Sequence, residues 1–319
     1  MASPFKFDFV REFRPMRLLA ALAAATLSLG ACKREILFDE PSSRLLTVYS
    51  ELTPGMPAWV HATRSTELLG DDEPMPVADA VVRWMGEDGE LLATATYQPD
   101  SARGAWYATP WAPTAGTTYR LEVEVPADDL LAAARVYVPT PATNVRVDSL
   151  FTVEPDPNDW FPLRRSTYEI AFEDDGTPGV FVLRAFMHKR TGTVWPPADT
   201  NLQVVFSLNS TDPLWETNGG RFSRLGTARL ALNEDLIPNG ERLVRVEVAY
   251  GEFGDLGGFE VVFAVEKWDP DLYKAIVSQE KASGAGSFNP FVQPTTSFTN
   301  VAGGIGYAGG KSRVWVRKE

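Results

Sequence analysis

The chain has 319 residues, a net charge of −12, 44% hydrophobic residues and a single cysteine, Cys32. An acidic chain of this kind repels nucleic acid and anionic headgroups, which sets aside a nucleic-acid partner and electrostatic attachment to lipid. One cysteine allows no internal disulfide and no thiolate metal cluster, so stability has to come from hydrophobic cores.

The first element is an apolar run from Leu18 to Leu29, preceded by Arg11, Arg14 and Arg17 and followed by Gly30, Ala31 and Cys32. Spanning a bilayer takes about 20 apolar residues, so the run is too short for an anchor. It fits the apolar region of about 7–15 residues in a secretory signal. Small residues at 30 and 31 leave the backbone open to a peptidase, and Cys32 supplies a thiol for acylation. Residues 1–31 therefore read as a bacterial lipoprotein signal peptide, with Met1 or Met16 as the start. They carry four basic and two acidic side chains, so the remaining 288 residues have a net charge of −14. Membrane attachment then rests on the lipid at Cys32, and stable anchoring needs more than one acyl chain. Residues 32–43 read as a tether.

Residues 44–140 predict an immunoglobulin-like β-sandwich. A strand covers Leu46–Leu52. The turn Glu87-Asp88-Gly89-Glu90 separates strands around Ala80–Met85 and Leu91–Tyr97 and marks a hairpin. Tyr119, Leu121, Val123 and Val125 alternate with Arg120, Glu122 and Glu124, the pattern of a strand with one buried and one wet face. About seven such strands suit that sandwich. Pro139-Thr140-Pro141-Ala142-Thr143 predicts an extended, exposed linker.

Residues 144–319 predict a larger antiparallel β domain, sandwich or barrel-like. Period-two runs at Tyr168–Phe172, Val244–Tyr250 and Phe259–Val265 are its strands, with Asp174-Asp175-Gly176 and Pro238-Asn239-Gly240 as turns. One short helix is predicted near the C-terminus. Asp269 caps it, Pro270 takes its first position, Leu272, Tyr273, Ile276 and Val277 form its apolar stripe, and Gly284 closes it.

Catalytic patterns are weak. Gly304-Ile305-Gly306-Tyr307-Ala308-Gly309 matches G-x-G-x-x-G, but too few residues follow for the helix and acidic residue that a dinucleotide site needs. Gly310-Lys311-Ser312 lacks the earlier glycine of a phosphate loop, because position 305 is Ile305. The stretch reads as a glycine loop leading into the last strand and held against the second domain. His61 and His188 read as ordinary imidazoles. The acidic groups Asp71-Asp72-Glu73, Asp156 with Asp159, and Glu173-Asp174-Asp175 read as solvated loops, without the spacing of a calcium loop. No cofactor, metal site or catalytic set is expected. Trp160, Phe161, Trp195 and Trp215 lie in proline- and polar-rich loops and are the candidate binding residues, since loops on a rigid sandwich often carry binding and exposed aromatics give flat contact platforms.

The C-terminal stretch Phe288-Asn289-Pro290-Phe291-Val292-Gln293-Pro294, followed by Asn300-Val301-Ala302-Gly303-Gly304-Ile305-Gly306-Tyr307-Ala308-Gly309-Gly310, resembles the ending of a Bacteroidota lipoprotein family catalogued as domain of unknown function 4249. Thr299 and Ala308 stand where that pattern has Ser and Phe. Asn289, Pro290, Phe291, Asn300, Gly303, Gly304, Gly306, Gly309 and Gly310 are the matching motif positions and read as structural. The lipoprotein cysteine, the strand Leu46–Leu52 and the stretch Pro76–Val82 fit the same layout. The resemblance implies an outer-membrane lipoprotein of unassigned activity, encoded beside TonB-dependent receptors, and carries over no catalytic residue.

These readings lead to an outer-membrane lipoprotein that serves a TonB-dependent receptor as a non-enzymatic accessory or ligand-binding subunit, with the ligand unspecified. The alternatives are a surface-anchored hydrolase acting on polymers and a structural envelope protein.

Overall fold

Alternating apolar and polar residues build most of the molecule as β-strands. The computed structural model describes residues 45–64, 75–100, 104–154, 163–189, 195–196, 202–205, 207–210, 215–216, 229–232, 240–251, 259–285 and 298–318. Cys32 and the motif residues Asn289, Pro290 and Phe291 lie outside them, as do Trp160 and Phe161. Among the described residues no helix is long and apolar enough to cross a membrane.

The first half of the chain gives β1 (Leu46–Leu52), β2 (Ala58–Arg64), the two-residue β3 (Met75–Pro76), β4 (Val81–Gly86), β5 (Leu91–Asp100), β6 (Gly104–Thr109), β7 (Thr117–Val125) and β8 (Leu130–Val138). The hairpin between β4 and β5 forms where the sequence predicts it, with Gly89 at a φ of 88° and the Gly86 amide donating to the Glu90 carbonyl at 2.8 Å. The second half gives β9 (Thr143–Val153), β10 (Leu163–Asp174), β11 (Val180–Lys189), β12 (Leu202–Val204), β13 (Ser207–Ser210), β14 (Trp215–Glu216), β15 (Arg229–Leu232), β16 (Gly240–Gly251), β17 (Phe259–Trp268), the helix α1 (Pro270–Ala285) and β18 (Gly304–Arg317). The fold is mostly β with one short α-helix near the C-terminus. That helix runs one residue past Gly284, the predicted stop.

Two sheets result. The large one follows the order β14-β15-β11-β17-β18-β1-β2-β6-β5-β4-β7-β8, and the small one β13-β16-β10-β9. Several strands change partners along their length, β5 and β18 among them. β5 pairs with β4 through residue 95 and with β6 from residue 96. β18 pairs with β1, in parallel, over residues 304–310 and with β17, antiparallel, over 311–317. Such switching strands let one sheet turn a corner and cover a core from two sides.

Residues 44–319 form one compact unit with two main cores. The first is filled by inward residues of β1, β2, β4, β7 and β8, with Trp84, Leu121 and Val136 fully buried, and it also takes Val301 and Ala308 from the C-terminal stretch. The second lies between β10 and β16 on one side and β11 and β17 on the other, around Ile170, Phe172, Leu183, Val246 and Phe263. Burying a side chain of this size is worth about 1.5–3 kcal/mol, so each core is a substantial source of stability. The helix α1 lays Leu272, with Tyr273 and Ile276, against Trp268 and Val182 on the outer face of the large sheet.

Candidate functional site

The glycine motif lies within the last strand and not in a loop before it. Gly304, Gly306, Gly309 and Gly310 all fall inside β18, and Gly303 directly precedes it. Gly303 and Gly306 have φ values of 74° and 106°, a region that suits glycine. A β-carbon at 303 or 306 would collide with the carbonyl of Leu131 or Val48, and one at 310 with Tyr137 and Val138. At Gly304 the obstacle is Leu46, and at Gly309 it is Leu272 of α1. The expected contact with the second domain is thus replaced by packing mainly on β1 and β8 of the N-terminal half. Asn300 completes the motif: its Nδ2 donates to the Ala308 carbonyl at 2.7 Å and its Oδ1 accepts from the Ala308 amide at 3.0 Å. The side chain does for Ala308 what a neighbouring strand would do.

The acidic turn after β10 is not simply solvated. Lys267 is only 1% exposed, and its Nζ donates to Asp174 at 2.8 Å, Asp175 at 2.9 Å and the Thr177 hydroxyl at 2.9 Å. Burial acts to raise the Asp175 pKa, but hydrogen bonds from Thr140, Lys267 and Thr177 outweigh it and hold the carboxyl below its ordinary range. On the other face of β17, Glu266 is fully buried. Burial alone would raise its pKa, yet Arg313 at 2.6 Å and Arg184 at 3.5 Å, with the Trp268 indole donating at 2.8 Å, keep it lowered and ionised. Both carboxylate clusters are tied to their own cationic partners, Glu266 fully buried and Asp175 with its side chain 39% exposed. Among the described residues no group of three or more His, Cys, Asp or Glu could hold a metal.

His61, on β2, is half-buried and stacks beside Tyr49, and desolvation lowers its pKa. His188 is 2% exposed, more fully buried than the surface or half-buried imidazole that the sequence suggests. It sits opposite Glu260 in the β11–β17 register, with Nδ1 3.3 Å from Glu260 Oε1. Its Nε2 has no hydrogen-bond partner among the described residues. A histidine acting as general base needs a nucleophile within hydrogen-bond reach, and none stands there among the described residues.

Among the described residues, a cleft of about 830 Å³ opens on the side of the second core where β9 and the end of β18 form the borders. Ser149 and Thr152 of β9 and Ser166 of β10 line one wall, with Tyr168 and Tyr250 behind them. The Thr152 and Ser166 hydroxyls lie 2.9 Å apart, and Ser166 is 3.1 Å from the Tyr250 hydroxyl. Glu260, Trp315 and Arg317 form the opposite wall, and Trp195 and Lys318 stand at its edge. The Arg317 guanidinium lies 4.6 Å from the centre of the Trp195 ring and donates to Glu260 at 3.3 Å. His188 meets the Trp195 ring edge-on at 6.1 Å. Trp195 is therefore braced on two sides and still 36% exposed. The cleft offers hydroxyls, aromatic faces and positive charge, a lining suited to holding an extended polar ligand by many weak contacts.

Of the four aromatic candidates, only Trp195 is among these lining residues. Trp215 lies in β14, the end strand of the large sheet on the side away from β18. Trp160 and Phe161 lie outside the described residues. The sequence reading passed over Tyr168, Tyr250, Trp315 and Arg317 because each sits within a strand, where alternation describes burial but not which sheet edge stays open.

No curated protein is significantly similar to the chain. Among solved structures, the native conformation of alpha-2-macroglobulin from E. coli is similar at 13% identity and a TM-score of 0.27, over 72% of this chain and 13% of that one. Trypsin-activated alpha-2-macroglobulin from Escherichia coli is similar at 11% identity and a TM-score of 0.22, over 72% of this chain and 15% of that one. The chain thus matches only a small part of the length of either protein. Residues 33–314 match the family described as Domain of unknown function (DUF4249), and the chain belongs to that family.

Proposed function

We propose that this chain is a lipid-anchored outer-membrane lipoprotein that acts as a non-enzymatic binding subunit beside a TonB-dependent receptor. Its address rests on Cys32, placed directly after Leu29-Gly30-Ala31 and one residue before the family match begins. Acylation at this thiol supplies the membrane attachment that an acidic chain cannot obtain from headgroups.

The observation that carries the binding role is the cleft between β9 and the end of β18. Thr152, Ser166 and Tyr250 are already linked through their hydroxyls, and Glu260, the cleft's only acidic lining residue among the described residues, is engaged by Arg317. Three of its aromatic rings, Tyr168, Tyr250 and Trp315, stand on strands, with Trp195 outside them braced by Arg317 and His188. Rigid aromatic and hydroxyl groups favour recognition with little ordering cost. The test is extraction of the outer membrane in mild detergent with the tagged wild-type chain and with Cys32→Ala. The wild type is expected to fractionate with the membrane, to label with palmitate and to bring down a TonB-dependent receptor, and the variant to be released. Membrane retention of an unlabelled Cys32→Ala protein would overturn the anchor. A pure protein that hydrolyses a glycan or peptide, and loses this on mutation of one carboxylate, would replace the binding role with the hydrolase alternative.

A further inference from the structure

Ten large hydrophobic side chains stand exposed among the described residues, and three of them fall within four consecutive positions of one strand. Leu150, Phe151 and Val153 of β9 are 41%, 57% and 52% exposed. β9 is the end strand of the small sheet, so among the described residues its outer edge has no strand partner. Edge strands are commonly blunted with charge, proline or a bulge. β9 carries a bulge at Leu150, because Thr167 pairs with Phe151 and Tyr168 with Ser149. From Phe151 to Val153 the edge carries neither charge nor proline.

We infer that this edge, Phe151 to Val153, takes an extended segment of a partner protein as a fifth strand of the small sheet. The inference deepens the binding role proposed above and rests on it, the segment belonging to the receptor. Strand addition draws affinity from main-chain hydrogen bonds and specificity from side chains that alternate between the two faces. Here the two faces differ. Phe151 and Val153 leave one face apolar, while Thr152 turns its hydroxyl toward Ser166 in the cleft. Arg317 and Lys318 border the same cleft, and Lys318 forms no ion pair with any described residue, in a chain whose net charge is −12. The matching segment alternates apolar residues, packed over Phe151 and Val153, with hydroxyl or acidic residues pointing into the cleft toward Lys318.

The probe is a fluorescein-labelled peptide of alternating valine and threonine ending in two aspartates, titrated against the detergent-solubilised lipidated protein. A scrambled peptide of the same composition, with its valines in one block, is the control. Saturable binding of the alternating peptide, with slowed amide exchange over residues 151–153, is the expected result. The double variant Phe151→Lys, Val153→Lys alters two exposed side chains, keeps its melting temperature and binds at least tenfold more weakly. Equal binding of the scrambled peptide, or an unchanged affinity in the double variant, overturns the inference. A wild-type dimer in sedimentation that the double variant dissolves also overturns it, since the occupant is then a second copy. Receptor capture separates the two claims. If the receptor comes down equally with wild type and the double variant, the edge is not its docking site although the binding role survives. If no receptor comes down with either, while the peptide binds as described, the receptor assignment fails and the strand-accepting edge stands.

Discussion

Gly310 and Lys311 are adjacent in the chain yet pair with different strands: Gly310 with Leu52 of β1, in parallel, and Lys311 with Trp268 of β17, antiparallel. Lys311 also reaches back to the Glu51 carboxylate, so the crossing point is held by charge as well as by backbone. The last strand thereby completes the N-terminal half with its first residues and the C-terminal half with its last.

A side chain at this crossing is expected to disturb both halves. A β-carbon on Gly310 would run into Tyr137 and Val138 of β8. Gly310→Ala should lower stability by about 1–3 kcal/mol, the usual range for overpacking. Gly306→Val adds strain at a φ of 106° to a collision with Val48 and should cost more. Thermal and urea melts check both, and a melting temperature equal to wild type in Gly306→Val would refute the structural role of the motif.

The same crossing governs how the chain responds to a cut in Pro139–Thr143. Thr140 bonds to Asp175 and Thr177, and Ala142 is buried in the second core. A specific protease site inserted after Pro141 should give two fragments that elute together under native conditions, because β18 stays paired with β1. Separation of the fragments without denaturant would show that the two halves hold independently.

Much of this was legible in the sequence, for identifiable reasons. Alternation located β7, β10 and β16 because each keeps one polar face; it also located β17, although that strand is buried on both faces. Asp269 and Pro270 located the start of α1, where the Asp271 amide donates to Asp269 Oδ1 at 3.2 Å. The sheet switch at Gly310 was not legible. Its partner Leu52 lies more than 250 residues away, and glycines that give way to a close neighbour look the same in sequence as glycines of a turn. Lys267 was missed for a related reason: a lysine within an apolar strand is buried only because Asp174 and Asp175 reach it from a distant turn.

Glu266 should be the most sensitive carboxylate. It is fully buried between Arg313 and Arg184, and removing one member of a buried ion pair typically costs about 3–5 kcal/mol. Glu266→Gln keeps the shape and the acceptor oxygen but leaves the guanidinium groups uncompensated. A loss below about 1 kcal/mol in urea unfolding would mean that solvent reaches this cluster in the native state.

Asp269 links stability to pH. Burial raises its pKa from 3.8 to about 6. Its carboxylate accepts the Asp271 amide and, at 3.4 Å, the Tyr137 amide of β8. The folded chain therefore holds a proton between about pH 4 and pH 6 that the unfolded chain has released. The stability it contributes is full below pH 4 and is lost as pH rises through 6. Asp269→Asn mimics the protonated form at every pH. Relative to wild type, the variant should gain nothing at pH 4 and about 3 kcal/mol above pH 6, from the pKa difference at about 1.36 kcal/mol per unit. A constant difference between the two proteins across pH 4–7 would contradict the raised pKa.

Trp195 separates binding from folding. It is 36% exposed and braced by Arg317 and His188, so its removal leaves no enclosed cavity. The stacking with Arg317 is worth about 0.5–1 kcal/mol at an exposed site, which bounds the stability cost of Trp195→Ala. Trp315 is a different case, since its ring packs on Phe186 beside Val262 and Ala264 and its loss should be felt in the fold. If the cleft is the binding surface, Trp195→Ala should melt within a few degrees of wild type and yet weaken receptor capture, because an aromatic anchor at an interface costs about 2 kcal/mol or more when truncated. That energy is roughly a thirtyfold change in affinity at room temperature. The measurement is receptor retained on immobilised wild type and Trp195→Ala at matched loading, across a series of detergent washes. Equal retention, with folding intact, would move the binding surface away from this cleft.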